Sequence, residues 1–206
     1  GLENTMTDVL VRVVHENGVT QMERLTSGDT GFEVAAETSN IDVIRVYTAL
    51  GIEHILLGVD HLLFVFALLL IVAGWRRLVG TITAFTLAHS ITLALSVFAV
   101  IRVPAEPLNA AIALSILFLG PEIVRVWRGQ TSFTIRHPWV VAFCFGLLHG
   151  FGFASGLSTV GMPRAEVPLA LAMFNVGVEL GQLAFVALIL LSYRAMRTLE
   201  FRWPRW

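Results

Sequence analysis

The chain has 206 residues, 56% apolar and only 14% charged, with a formal net charge of −1. Soluble domains carry about 25% charged residues, so this deficit, with a mean hydropathy of +0.76, argues against an ordinary soluble domain and for a polytopic membrane protein. The near-zero charge gives no support to nucleic-acid binding, which wants a basic face, and a single cysteine, Cys144, excludes intrachain disulfides and cysteine-based zinc sites.

Charge divides the chain. Residues 1–46 hold eight acids against three arginines, a net of −5, whereas residues 47–206 hold seven acids against eleven arginines, a net of +4. The first part reads as β. In "DVLVRVVHENGVTQMERL" the pair Asn17-Gly18 separates two strand-like runs, the strongest short hairpin signal. "GFEVAAE" follows the turn-rich "TSGDTG" as a candidate third strand. Two or three strands do not make an independent core, and Gly1 opens into polar sequence without a basic and apolar leader. Residues 1–46 are therefore expected to be the tail of a larger extracytoplasmic β domain, and the sequence a fragment.

Five apolar segments follow at about 47–73, 79–101, 108–127, 138–158 and 167–193, each close to the ~20 residues that cross a ~30 Å hydrocarbon layer. The expected fold is an all-α polytopic bundle of five spans over 47–193, with room for one more beyond this sequence, and a cytoplasmic interfacial tail over 194–206. Arginine placement sets the orientation. Arg76, Arg77, Arg125, Arg128, Arg136, Arg194, Arg197, Arg202 and Arg205 fall on one side, and Arg102 and Arg164 on the other, with Arg45 just before the first span. The positive-inside rule then puts the N-terminus in the periplasm and the C-terminus in the cytoplasm, across a bacterial inner membrane.

The apolar segments contain ionisable groups at mid-depth: Asp60 and His61 in the first span, His89 in the second, His149 in the fourth and Glu179 in the fifth. An acid left alone at the bilayer centre costs about 2.5–3.5 kcal/mol on insertion scales, so four helices carrying such groups at one level point to a shared buried site. In a continuous helix His54 and His61, seven apart, lie on one face, with Glu53 and Asp60 one position round. His54 would sit ~10 Å nearer the outer surface, on an access route with Glu53. Ser90 flanks His89, and Asn175, Glu179 and Gln182 form a polar stripe at i, i+4 and i+7; Ser90, Asn175 and Gln182 read as supports to ligands rather than ligands. Small residues in "GLLHGFGFASG" let the fourth helix approach its neighbours closely. Imidazole and carboxylate without thiolate suit nickel, cobalt, zinc or iron(II) better than copper(I). Span three offers only Ser115 at mid-depth and reads as scaffold. His15 and His137 read as bland loop residues, Cys144 as a small core residue.

"GIEHILLGVDHLLFVFALLL", "FTLAHSITLALS", "FGLLHGFGFAS" and "FNVGVELGQL" together resemble the signature segments of the HupE/UreJ family of membrane proteins, and more closely its branch with a periplasmic β domain. The resemblance spans residues 40 to 193. It implies a secondary nickel or cobalt permease, with His54, Asp60 and His61 handling the metal and His89, His149 and Glu179 joining them. One departure is the absence of a proline from the histidine motif, which here reads "GIEHILLGVDH". The expected partners are the lipid bilayer and a divalent metal ion, nickel, cobalt or zinc, with a homo-oligomer or a periplasmic partner on the β domain left open. Two alternatives stand beside transport: an intramembrane zinc-dependent hydrolase assisted by Ser90 or Glu179, although no HExxH arrangement is present, and haem ligation by paired histidines.

Overall fold

Branched apolar residues dominate "VLVRVV", which forms strand β1 (Val9–Val14) and pairs antiparallel with β2 (Thr20–Leu25), Val9 opposite Leu25 and Val14 opposite Thr20. A computed structural model describes these strands and residues 40–98, 100–101, 103–152 and 167–198. The turn at Asn17-Gly18, His15, the candidate third strand over 31–37 and the tryptophans of the tail lie outside the described residues. The chain divides between Ser39 and Asn40 into two units, and the second is helical throughout its described part.

That unit contains α1 (Asn40–Leu57), α2 (Val59–Ile71), α3 (Trp75–Val97), α4 (Ala105–Trp127), the single turn α5 (Phe133–Arg136), α6 (Pro138–Gly152) and α7 (Val167–Thr198). Of these, α3, α4 and α7 are each long and apolar enough to cross a membrane. The first helix starts at Asn40, ahead of the expected 47, with Asp42 in its first turn, where a carboxylate opposes the positive end of the helix dipole. The last runs to Thr198, so the start of the expected tail continues α7.

The straight first span expected over 47–73 is instead two helices. α1 and α2 pass the length and hydropathy test together but are bent by 75°. The break is at Gly58, whose φ of −79° and ψ of 93° are extended. Any residue adopts that φ; what glycine supplies is room. A Cβ at Gly58 would stand 2.7 Å from His61 Nδ1 and 2.8 Å from the His54 carbonyl oxygen. Such a break is tolerated at membrane depth when protein surrounds it, and here Gly58 N–H still donates to His54 O and Leu62 N–H to Gly58 O, both at 3.0 Å.

Helix directions follow from which residues meet. α1 and α7 run parallel, with Gly51 against Phe174 and Val178 and Gly181 against Ile52 and Ile55; α3 and α6 run parallel, with Gly146 against Phe85 and Gly150 against His89 and Thr92. In both pairs a Cβ on one of the glycines (Gly51 or Gly177, Gly146 or Gly150) would overlap a backbone carbonyl oxygen of the facing helix, so absence of a side chain sets the helix separation there. α3 and α7 are antiparallel, since Thr83 meets Glu179 while His89 meets Asn175. Two apolar cores result. One gathers Phe64, Leu68, Ile82, Phe85, Leu119 and Ala142 from α2, α3, α4 and α6; the other gathers Val43, Tyr47, Ile55, Leu93, Phe174 and Val178 around the α1/α7 pair. Large apolar side chains such as Leu57, Leu87, Leu117, Leu180 and Leu191 lie exposed on the outside, the distribution expected where hydrocarbon is the solvent. Cys144 is exposed on that outer face rather than in the core, because α6 turns it away from the side that carries His149.

At the other end of the bundle, α5 is held twice. An Arg77 guanidinium N–H donates to the carbonyl oxygens of Ile135 and Arg136, a cation on the last carbonyls of a short helix. Ser132 caps the same turn, accepting from Ile135 N–H at 3.2 Å, and its hydroxyl donates to Glu122. Glu122 is buried and also pairs with Arg125. These contacts bring the two arginine-bearing loops to one end.

Candidate metal centre

The bend at Gly58 decides where the first histidines go. His54 lies in the last turn of α1 and Asp60 and His61 in the first turn of α2. In a straight helix residues 54 and 61 would be separated by ~10 Å of rise; here their ring centroids are 4.8 Å apart. The expectation that His54 stands apart on an access route is therefore corrected: folding α1 back at the elbow brings it against His61. His89, from the middle of α3, lies 6.1 Å by ring centroid from both His54 and His61, and His149, from α6, lies 5.0 Å from His61. Four helical segments thus deliver four imidazoles and one carboxylate to one place.

The hydrogen bonds around the rings fix their tautomers. Asn175 Nδ2 donates to the Leu171 carbonyl oxygen at 2.7 Å, which turns Oδ1 toward His89. His89 Nδ1–H then donates to that oxygen at 3.2 Å. Ser115 Oγ donates to the Ile112 carbonyl oxygen at 2.6 Å, so its lone pairs accept from His149 Nε2–H at 3.1 Å. His61 Nδ1–H donates to Asp60 Oδ1 at 3.1 Å. Each of the three rings gives its proton outward and keeps a basic nitrogen inward. Those nitrogens, His61 Nε2, His89 Nε2 and His149 Nδ1, are buried and have no hydrogen-bond partner among the described residues. A buried polar group left unmatched costs about 1–3 kcal/mol, and three of them in one cluster of rings is an arrangement able to hold a cation.

The surroundings suit that role. Phe85 and Phe64 face His149 at 5.2 and 5.5 Å by ring centroid, and Phe174 faces His54 at 5.5 Å. These phenylalanines are fully buried, so they keep water from three sides. Asp60, with its side chain 41% exposed, and His54, also only partly buried, are the members of the set open to the outside. The donors fall into two groups, His54 with His61 and His89, and Asp60 with His61 and His149, in each of which one donor atom per residue lies within 4.8 Å of the others.

The remaining sequence candidates lie around this set. Glu179 belongs to neither group: its carboxylate accepts from Thr83 Oγ1 at 2.5 Å. With Thr86, Ser90 and Asn175 it lines a pocket of about 300 Å³ between α3 and α7. Ser90 Oγ donates to the Thr86 carbonyl oxygen at 2.7 Å. Gln182 is buried and accepts from Thr86 Oγ1 at 3.1 Å. Glu53 is exposed on α1. His137 stands outside the centre, its ring against Phe133 at 5.2 Å. Ser115, read from sequence as part of a scaffold helix, is in contact with the centre, and Gly58, the residue that shapes it, drew no notice; its position between the two acid-histidine pairs was the available signal.

A set of apolar helices long enough to cross a membrane, folded around a buried imidazole-carboxylate cluster, defines a membrane protein of metal-handling type. The chain belongs to the HupE/UreJ family, associated with nickel and cobalt transport: residues 30–206 match the family model described as HupE / UreJ protein. The match begins after the β1–β2 pair. No curated protein and no solved structure gives a match.

Proposed function

We propose that this protein is a secondary permease of the bacterial inner membrane for a divalent transition metal, nickel or cobalt, and that the ion is bound by His54, Asp60, His61, His89 and His149. The observation that carries this reading is the outward commitment of one nitrogen on each of His61, His89 and His149, which leaves a lone pair of borderline softness unmatched on each of three neighbouring rings. Asn175, Ser115 and Asp60 act as the partners that hold the rings. Glu179, Ser90 and Gln182 support the α3/α7 face beside the site, and Glu53 lies exposed near the C-terminal end of α1.

The alternating directions of α1, α3, α4, α6 and α7 support five crossings, with α1 and α2 together forming a broken first span. Discontinuous helices whose ends converge on an ion site are a recurrent device of secondary transporters. The arginine-bearing loops gathered at one end support a cytoplasmic location for that end and a periplasmic one for the β1–β2 segment, as in the family branch with an outer β domain. Twelve residues of α3 separate His89 from Arg77, ~18 Å of rise, and the first apolar core fills that interval. The site is therefore closed toward the arginine end. Release there requires rearrangement. No observation favours the hydrolytic alternative.

Uptake of nickel, cobalt, zinc and iron(II) into membrane vesicles tests the proposal directly. Wild type is expected to accumulate nickel or cobalt, and Asp60→Asn and His61→Ala to abolish accumulation. Unchanged uptake in both variants, or cleavage of lipid or peptide that depends on zinc, overturns it.

A further inference from the structure

We propose that the centre is two overlapping stations rather than one site: an all-imidazole station of His54, His61 and His89 and an exchange station of Asp60, His61 and His149, with a divalent transition-metal ion handed from one to the other through His61. The inference rests on the metal-binding reading above and adds a second binding position and an order to it.

Reach is the first argument. Nitrogen and oxygen donors sit ~2.0–2.2 Å from such an ion, so any two donors on one ion lie within about 4.4 Å of each other. Each triad has its donor atoms within 4.8 Å, so a small side-chain adjustment closes either one around an ion, whereas the five residues do not form a single such group. The second argument is the geometry of the shared ring. The two nitrogens of an imidazole point away from each other; His61 Nδ1 faces Asp60, and its Nε2 is buried and without a hydrogen-bond partner among the described residues. One ring can therefore serve either station, Nε2 in the tautomer whose proton faces Asp60 and Nδ1 in the other, the ring proton exchanging between the two nitrogens as the ion moves. The third is the contrast in charge between the triads. One station is made of imidazoles alone, while the other includes Asp60, whose side chain is 41% exposed and brings a negative charge. The anionic station attracts an aqueous cation first; the all-imidazole station receives it from there. The stations also draw on different helices, His54 from α1 and His149 from α6, so passage of the ion between them shifts its attachment from one part of the bundle to another.

The test uses the whole purified chain in detergent, with Co²⁺ as the probe, read by binding titration and by its d–d absorption. His89→Asn removes a donor of the all-imidazole station and His149→Asn one of the exchange station. Each is expected to retain one Co²⁺, with d–d spectra that differ from each other, while Co²⁺ uptake into vesicles falls at least tenfold in both. His61→Asn is expected to retain none. Asp60→Asn, which alters no apolar contact, is expected to reproduce the His149→Asn spectrum and gives the same discrimination if His149→Asn does not yield monodisperse protein. Complete loss of Co²⁺ from a monodisperse His89→Asn or Asp60→Asn protein, or the same spectrum from both, means a single joint site and overturns the proposal. Wild type that binds no Co²⁺, Ni²⁺ or Zn²⁺ overturns the metal reading itself, a separate outcome.

Discussion

The two ends of the helical unit both bury charged or polar side chains, and they treat them in opposite ways. At the arginine end, Glu122 is matched on both oxygens, by Arg125 and by Ser132, and Arg77 covers the carbonyls that end α5. Around the elbow, His61, His89 and His149 are each matched on one ring nitrogen and unmatched on the other among the described residues. A fully matched buried group holds helices together; a half-matched one stores affinity for something else. The difference separates a clamp from a binding site without reference to residue type.

The largest way to test this contrast is His61→Ala. Loss of a ligand's orienting partner alone costs about 10–100-fold in metal affinity, so removing the shared ligand is expected to cost about 1000-fold, ~4 kcal/mol. The melting temperature in detergent is expected to fall only by the cost of the lost ring packing and the bond to Asp60, since the inward nitrogen has no partner among the described residues to lose. A His61→Ala protein that melts much earlier and binds Co²⁺ normally would reverse the comparison.

Arg125→Ala probes the other end. Breaking a buried ion pair costs 3–5 kcal/mol when both partners are buried. Arg125 is half exposed, so about 2–3 kcal/mol of stability is expected from chemical unfolding, with Co²⁺ affinity unchanged. Within the centre the orienting partners come next. Asn175→Leu leaves the His89 ring unanchored and is expected to weaken Co²⁺ binding by about 30-fold. Ser115→Ala acts on His149 through a single neutral hydrogen bond, and about tenfold is expected. Equal effects of these two changes on affinity and on melting would mean that the partners brace helices rather than aim ligands.

Much of this arrangement was legible in the sequence because lipid makes polarity conspicuous. His61, His89 and His149 stood out as ionisable groups in apolar runs, and Gly146 and Gly150 as small residues where helices meet. Asn175 was recognisable from its place on the stripe with Glu179. What stayed hidden was direction. A hydropathy pattern records which residues are apolar and says nothing of the path they take, so the 75° bend at Gly58 left no trace in it, and His54 was displaced outward as a result. Depth along a helix is also only one coordinate of three: Glu179 shares the level of the histidines but, in this structure, faces Thr83. Ser115 was missed because a lone serine in an apolar helix most often bonds to its own backbone, which it does here as well as receiving His149.

The elbow also gears motion at the surface to motion at the donors. α1 is seated on α7 through Gly51 and Gly177, and α2 against α4, so the halves of the first span answer to different neighbours. α1 has 18 residues, ~27 Å of length. A ~10° change at Gly58 would sweep its far end by ~5 Å while carrying the backbone at His54, one turn from the pivot, only ~1 Å. A step of that size is comparable to the few tenths of an ångström by which the donor atoms miss closing distance, so coarse displacement at the far end of α1 becomes fine adjustment of the spacing between His54 and His61.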